Sequence, residues 1–256
     1  AALYVPKGYA DYRKMIDDEN LDAVHICTPN RMHFEMAMYA MEKGVNVLCE
    51  KPLAVTAEEA KKLRDYALQH NIVSAVNFNL RFNPQVVQMK EMVKAGDVGK
   101  IYSVHGSYLQ DWLFYDTDYS WRLDTELSGP SCAFADIGSH WIDMVENIIE
   151  QKATEVFADF ETVHKTRKKP LKPVDTYSGM ALRPEDYQEF NINVEDQCTV
   201  LFHFDGGAKG VCTISQVFAG RKNQTVISIS GSKCSLHWDS ETGNELWSGR
   251  RENYNQ

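Results

Sequence analysis

The first eighty residues alternate short apolar runs with segments of helical pattern. Three apolar runs predict strands of a buried parallel sheet: 22–27, 45–49 and 72–78. Three other segments predict helices: 9–18, 31–43 and 56–70. Gly44 is suited to end the second helix, and Thr56 with Glu59 has the spacing of a capping box at the start of the third. This alternation of strand and helix is typical of a parallel sheet with right-handed crossovers.

The pattern changes after Pro84. A helix is expected up to Ala95, a strand over 100–109 and a second helix over 136–150. Beyond Glu195, strand-like runs alternate with tight turns and predict two hairpins, 200–204 with 210–214 and 226–229 with 234–238. The second part of the chain is therefore expected to form an antiparallel sheet with a helix or two on one face.

Composition and charge narrow the class of protein. The formal net charge of −9 at pH 7 argues against a nucleic-acid surface, which needs clustered cations. The short basic run 165–169 is interpreted as a solvated loop. No run approaches the ~20 apolar residues that span a bilayer, and the first residues have no secretion-signal pattern. Six widely spaced cysteines indicate free thiols in a reducing compartment, so we expect a cytoplasmic protein.

Two predicted strand ends carry polar residues suited to chemistry. Ligands of open α/β sheets bind beyond the carboxyl ends of the strands, and these ends carry Cys27-Thr28-Pro29-Asn30 and Glu50-Lys51-Pro52. A lysine there can donate or shuttle a proton, and the following proline keeps Lys51 out of helical dihedrals. The alternative is a Glu–Lys pair on a surface loop.

The segment Asp136-Ile137-Gly138-Ser139-His140-Trp141-Ile142-Asp143 is the second candidate for chemistry. On a helix Asp136, His140 and Asp143 share one face. A carboxylate beside an imidazole can orient it for removing a proton from an alcohol. Asp136 capping the helix and a metal site are alternatives, but the sequence groups no further metal ligands with these residues.

Three other histidines are interpreted individually. His25 and His203 lie within strand runs and are expected to be packed side chains. His33 opens a helix beside the Thr-Pro-Asn strand end, where it is either a first-turn surface residue or a cofactor contact.

Taken in order along the chain, these motifs resemble the glucose–fructose oxidoreductase / inositol dehydrogenase / MocA-like family. The resemblance begins in residues 24–33, 44–53 and 79–84. It continues in Trp121-Arg122, 136–140, Glu195-Asp196, Ser215-Gln216, 220–223 and 231–233, and so covers nearly the whole chain.

The resemblance implies an α/β fold with two domains. Residues 1–81 would form the C-terminal part of a Rossmann domain, and residues 82–256 a domain with a large open, predominantly antiparallel sheet. The implied activity is hydride transfer between NAD or NADP and a secondary alcohol, or its ketone, of a sugar or polyol. A homodimer or homotetramer formed through that sheet is also expected. We further expect a cis bond between Lys51 and Pro52.

The resemblance also implies roles for individual residues. Lys51 and His140 match the family's proton-handling pair, and Asp136 the carboxylate that positions the histidine. The positions that line the cofactor match Cys27, Thr28, Pro29, Asn30, His33, Glu50, Lys51, Asn79 and Arg81. The positions near the substrate match Trp121, Arg122, Asp136 and His140. No metal is implied.

The chain also departs from the family's pattern. Family members open with a strand, a Gly-x-Gly-x-x-Gly turn and a helix, and this sequence has no such segment. We therefore expect a chain truncated at both ends that binds the dinucleotide poorly by itself. Two other functions stay open: cleavage of glycosides with tightly held NAD, and a sensor that binds a dinucleotide without catalysis.

Overall fold

The computed structural model describes residues 7–172 and 183–252. The chain divides into two compact units. The first unit runs to Asn77 and includes Glu126–Gly129, and the second takes Phe78–Thr125 and the described chain from Pro130 onward.

The first unit contains a three-stranded parallel sheet with the order β1-β2-β3. Its elements are α1 (Tyr12–Asp18), β1 (Ala23–Ile26), α2 (Asn30–Glu42), β2 (Asn46–Cys49), α3 (Ala57–His70) and β3 (Ser74–Val76). The predicted order and parallel pairing are confirmed. Helix α1 begins three residues later than predicted because Asp11 caps it, its carboxylate accepting from the Arg13 amide at 2.9 Å.

The predicted helix ends of the first unit are also confirmed. The Thr56 hydroxyl and the Glu59 carboxylate form a reciprocal capping box, and Gly44 after α2 has a φ of +77°. Ile26, Val47 and Cys49 are buried in one core with α2 and α3. His25 is exposed, so the expectation that it is packed is wrong: its neighbours in β1 point into the core, and alternation turns its side chain the other way.

The second unit is built on a seven-stranded sheet with the order β12-β11-β10-β4-β9-β8-β5. The strands of this sheet are β4 (Ile101–Leu109), β5 (Ala153–Glu161), β8 (Gln197–Phe204), β9 (Lys209–Ser215), β10 (Gln224–Gly231), β11 (Ser235–Asp239) and β12 (Trp247–Gly249), and a separate two-stranded sheet contains β6 (Thr166–Pro170) and β7 (Tyr187–Asn191). The helices of the second unit are α4 (Pro84–Lys94) and α6 (Ser139–Ile149). The short helix α5 (Thr125–Ser128) begins in the second unit and continues in the first. All pairs in the seven-stranded sheet are antiparallel except β4 with β9. Both predicted hairpins and the predominantly antiparallel sheet are confirmed.

Helices α4 and α6 cover one face of this sheet. Trp141 of α6 is completely buried, and its indole N–H donates to the Val226 carbonyl of β10 at 3.0 Å. Gly106 of β4 makes this approach possible, since a Cβ there would lie 2.0 Å from the Val226 oxygen. On the opposite face His203 is exposed, so the expectation that it is packed is wrong as well.

The basic run is a strand rather than a solvated loop. Residues of β6 pair antiparallel with β7, and the Arg167 side chain is completely buried. Its guanidinium lies 3.3 Å from the Asp196 carboxylate, which is also completely buried, and donates to the Tyr115 carbonyl at 2.7 Å. Burial lowers the pKa of Arg167, and Asp196 opposes that shift. The loop interpretation fails because these partners lie far from the run in sequence.

Among the described residues, no helix combines the length and apolarity needed to cross a bilayer.

Candidate active site

The loop after β1 brings the Thr-Pro-Asn motif to the carboxyl edge of the parallel sheet. Cys27 is exposed, and Thr28 and Pro29 are half-buried. Asn30 begins α2 and is buried, with its side-chain amide donating to the Ser128 carbonyl at 3.1 Å. This edge is where an open α/β sheet presents its ligand-binding residues.

His33 holds two parts of this edge together. Its ring is 0% exposed, so the surface interpretation is wrong. Nδ1 lies 2.7 Å from the Pro52 carbonyl and Nε2 lies 2.8 Å from the Thr28 carbonyl. Both oxygens are acceptors only. The imidazole therefore links the Thr-Pro-Asn loop to the Lys51-Pro52 turn through their backbones.

The end of β2 presents Glu50 and Lys51. The Glu50 amide donates to the Ile26 carbonyl at 2.9 Å, which continues the pairing with β1, and the Glu50 carboxylate accepts from the Asn77 amide at 2.6 Å. Lys51 is half-buried, and its bond to Pro52 is cis, as predicted. Both side chains thus start from backbone that the sheet holds in place.

The same edge gathers potential metal ligands. His25, Cys27 and Glu50 each offer a ligand atom, and these atoms lie within 4.8 Å of one another; within the two described stretches, no other group of three does so. A closed structural zinc site takes four ligands, so these three residues alone do not form one. This set is not predictable from the sequence alone, because a histidine within a strand run is expected to be packed, whereas His25 is exposed.

In the second unit, a wide turn precedes α6. Residues Phe134–Gly138 form a π-helical turn, a feature often found at functional sites. The Glu195 carboxylate accepts from the Cys132 amide at 3.0 Å, the Phe134 amide at 2.9 Å and the Ser131 hydroxyl at 2.7 Å. A Cβ at Gly138 would lie 2.5 Å from the Phe134 ring. Glu195 and Gly138 therefore fix this turn.

Asp136 lies in the middle of the π-helical turn and is bound from two sides. One carboxylate oxygen accepts from the Gln216 amide at 2.9 Å, and the other lies 3.3 Å from Arg122 Nε. Both of these contacts are with side chains of other segments. The charge of Asp136 is therefore held beside a cation and a neutral donor.

His140 lies in the first turn of α6 and is 8% exposed. Its ring packs edge-on against Phe78, with centroids 5.6 Å apart, and at a tilt against Tyr108. Asp143 forms a bidentate pair with Arg81, one bond of which measures 2.9 Å, and this contact raises the pKa of Arg81. The expectation that Asp136, His140 and Asp143 share one face of a helix is therefore only partly correct. Asp136 lies in the π-helical turn before α6, and Asp143 binds Arg81.

The remaining predicted residues lie nearby within the second unit. Asn79 is exposed in the turn that carries Arg81. The Arg122 guanidinium lies 4.6 Å from the Trp121 ring and 5.9 Å from the Trp112 ring, within the range of cation–π contacts. The second unit thus brings Arg122 and Asp136 together beside aromatic rings.

The chain matches two protein-family models. Residues 1–78 match the model of an oxidoreductase family with an NAD-binding Rossmann fold, and residues 86–237 match the GFO/IDH/MocA C-terminal domain. The chain belongs to the GFO/IDH/MocA oxidoreductase family. The resemblance inferred from the motifs is confirmed, as is the α/β fold with a Rossmann-type first region.

Named relatives of this GFO/IDH/MocA chain include sugar dehydrogenases. Levoglucosan dehydrogenase of Pseudarthrobacter phenanthrenivorans is 33% identical over 93% of this chain and 60% of its own length. A levoglucosan dehydrogenase solved with NADH and levoglucosan has a TM-score of 0.83 at 33% identity, over 96% of this chain and 62% of that one. An inositol dehydrogenase homologue of Azotobacter vinelandii, solved with NADH and myo-inositol, has a TM-score of 0.80 at 28% identity, over 97% and 60%. The chain therefore spans about three fifths of the length of these relatives.

Two residues of the site, Glu195 and Gln216, belong to the motifs that resemble the family, but the sequence suggested no role for either. Glu195 binds the π-helical turn, and Gln216 binds Asp136. Each is a polar residue beside a strand of alternating apolar positions, and this position was the only indication in the sequence that it binds another polar group. Their partners lie more than sixty residues away in sequence.

Proposed function

We propose that the complete protein containing this chain transfers hydride between NAD or NADP and a secondary alcohol, or its ketone, of a sugar or polyol. The observation that carries the proposal is that a chain of this oxidoreductase family has two residues suited to moving a proton, Lys51 just after β2 and His140 in the first turn of α6. Named sugar dehydrogenases among the relatives support the substrate class.

The residues at the edge of the parallel sheet fit a dinucleotide. They combine exposed or half-buried polar groups with a backbone that hydrogen bonds hold in place. His33, for example, contacts the carbonyls of Thr28 and Pro52. We assign cofactor contacts to Cys27, Thr28, Pro29, Asn30, His33, Glu50, Lys51, Asn79 and Arg81, of which His33 would act through the backbone it holds. When bound, the nicotinamide supplies or accepts the hydride, and the protein supplies position and protons.

We assign to Lys51 and His140 the transfer of the proton that the substrate hydroxyl group loses or gains. As an alcohol is oxidised its hydroxyl proton must leave, and an imidazole or an amine within hydrogen-bond reach of that oxygen can accept it. Asp136 would keep His140 in the orientation for this transfer, and packing against Phe78 and Tyr108 restricts the ring further. Trp121 and Arg122 are assigned to the sugar, since an aromatic face and a planar cation both suit polyhydroxylated rings.

Substitution of the two proton-handling residues tests this function. We expect Lys51→Met and His140→Asn to lower kcat by about 10²- to 10⁴-fold, because general acid–base catalysis contributes about that much. The complete protein is assayed for NADH and NADPH formation with levoglucosan, myo-inositol, glucose and xylose. His70→Asn is the matched control, since His70 is exposed in the last turn of α3, stacks on Tyr66 and has no assigned role.

Wild-type rates in both Lys51→Met and His140→Asn would reject the assignment. Release of free sugar from a glycoside without net NADH would instead indicate glycoside cleavage through transient oxidation. Tight dinucleotide binding with no turnover of any substrate in the panel would indicate a sensor.

We also propose that the face of the seven-stranded sheet opposite α4 and α6 binds a second copy of the chain. One row of side chains crosses all seven strands in register on this face: Phe157, Leu201, Val211, His105, Ser228, His237 and Trp247. Phe157 is 69% exposed, a high value for a residue of its size. The neighbouring row carries Glu155 and Lys209, whose opposite charges allow the face to pair with itself.

The area of this face agrees with a dimer interface. Strands about 4.8 Å apart and roughly 20 Å long present about 700 Å² when seven lie side by side. A standard interface buries about 800 Å² on each partner. Light scattering should therefore show a dimer or larger assembly for the complete protein and a smaller species for Phe157→Glu/Leu201→Glu. A monomer at micromolar concentration in the unmodified protein would refute this proposal.

We further propose that the protein acts in a reducing compartment such as the cytoplasm. All six cysteines are free thiols, and five of them are buried. Cell fractionation tests the location directly, and recovery of the protein outside the cytoplasm would contradict it.

A further inference from the structure

Gln216 is completely buried where the chain leaves β9. Its backbone amide donates to the Asp196 carbonyl at 2.9 Å, and its carbonyl accepts from the Leu113 amide at 3.1 Å. The side chain therefore starts from a backbone held on both sides, and it reaches Asp136, eighty residues away in sequence.

Both ends of the Gln216 side-chain amide have partners. Oε1 accepts from the Cys132 thiol at 3.4 Å, and Nε2 donates to Asp136 Oδ2 at 2.9 Å. Burial raises the pKa of the Cys132 thiol, and Asp136 and Glu195 add to the shift, so this thiol stays protonated and remains a donor. An ionised Asp136 only accepts, so it takes the N–H end of the amide, and the thiol donates to the oxygen at the other end.

We propose that Gln216 is a positioning residue that holds the Asp136 carboxylate in place for the proton transfer assigned to His140. This inference rests on the proposed function. Arg122 binds the other carboxylate oxygen, so the amide satisfies the remaining oxygen without adding a second cation. An N–H bond of this kind favours the ionised form of a carboxylate. The charged groups that act on the neighbouring Cys132 are Asp136, Glu195, Arg122 and Arg167.

Two substitutions of Gln216 separate positioning from packing. Gln216→Leu keeps the volume and removes the donor, and we expect kcat to fall about 10- to 100-fold, the loss typical of a hydrogen bond to a charged group. Gln216→Glu retains a donor only while its carboxyl group is protonated. Its rate relative to the unmodified protein should therefore fall as pH rises, because two neighbouring carboxylates repel one another. For Gln216→Leu the same ratio should not vary with pH.

The measurement is kcat and KM against pH for the complete protein, with NAD and whichever of levoglucosan or myo-inositol it oxidises. Gln224→Leu and Gln224→Glu are matched controls, since buried Gln224 donates its amide to the Asp239 carboxylate at 2.7 Å and has no assigned role. We expect the Gln224 variants to retain kcat, and KM for NAD to change less than about twofold in the Gln216 variants.

Unchanged kcat in both Gln216 variants overturns the inference, and so does a loss whose pH dependence is the same in both. If Gln216→Leu does not fold, the ratio for Gln216→Glu decides alone, since it either varies with pH or does not. Full activity of His140→Asn would show that the proposed function itself is wrong. Inactive His140→Asn beside fully active Gln216 variants would reject only the role of Gln216.

Discussion

Replacement of Arg167 by methionine removes the cation from a buried ion pair. Both side chains of the Arg167–Asp196 pair are completely inaccessible to solvent. In the variant, Asp196 keeps the Val163 amide at 2.8 Å and the His164 amide at 3.4 Å as donors but loses its counter-ion. The carbonyls of Tyr115 and Asp118 lose a donor at 2.7 and 3.3 Å.

Breaking a buried ion pair by removing one partner costs about 3–5 kcal/mol. The two backbone amides that remain on Asp196 offset part of this, so we expect a loss of about 3 kcal/mol in the free energy of unfolding. For a protein of this size, that loss lowers Tm by about 6–12 °C. Urea unfolding followed by circular dichroism measures the free energy, and calorimetry measures Tm.

Two further variants make this prediction specific. Lys168→Met removes the neighbouring cation, whose pair with Asp116 is exposed, and should change stability by less than about 0.5 kcal/mol. Arg167→Met/Asp196→Asn removes both charges and should be more stable than Arg167→Met, because no uncompensated carboxylate remains buried. A loss below about 1 kcal/mol for Arg167→Met, or a double variant no more stable than it, would refute the reasoning.

Three other predictions concern packing, helix capping and thiol reactivity. Gly106→Ala should lower the free energy of unfolding by about 1–3 kcal/mol, because the added Cβ meets the Val226 carbonyl and the Trp141 indole; near-UV circular dichroism should show the indole displaced. Thr56→Ala should cost about 1 kcal/mol in urea unfolding, and an unchanged midpoint would contradict the capping box. Iodoacetamide should modify exposed Cys27 first, as peptide mapping will show, and bound NAD should slow that reaction; initial labelling at a buried cysteine would contradict the burial assigned to it.

Much of the fold was predictable from local pattern. The strands and helices of the parallel sheet follow from apolar runs and helical spacing, and the ends at Thr56 and Gly44 follow from capping chemistry. The hairpins β8–β9 and β10–β11 follow from alternation interrupted by glycine turns. These features depend on residues that are close in sequence, so the local pattern of residue types is sufficient to predict them.

The candidate site was predictable only in part. The motif around Asp136 and His140 was visible, but the π-helical turn before α6 was not, because it depends on Glu195 binding three donors on a distant segment. Asp143 was expected beside His140, yet Arg81, sixty-two residues away, binds it. Local spacing predicts which residues share a helix face, and it contains no information about a competing partner from another segment.

Burial of charge was decided by tertiary structure alone. A run of four cations in five residues has the composition of a solvated segment, and by itself the sequence determined only that this segment is short and basic and is followed by Pro170. Pairing of β6 with β7 turns Arg167 inward, where the Asp196 carboxylate and two backbone carbonyls replace its water. A charge is buried only where such partners converge, and their convergence is set by the chain's long-range path.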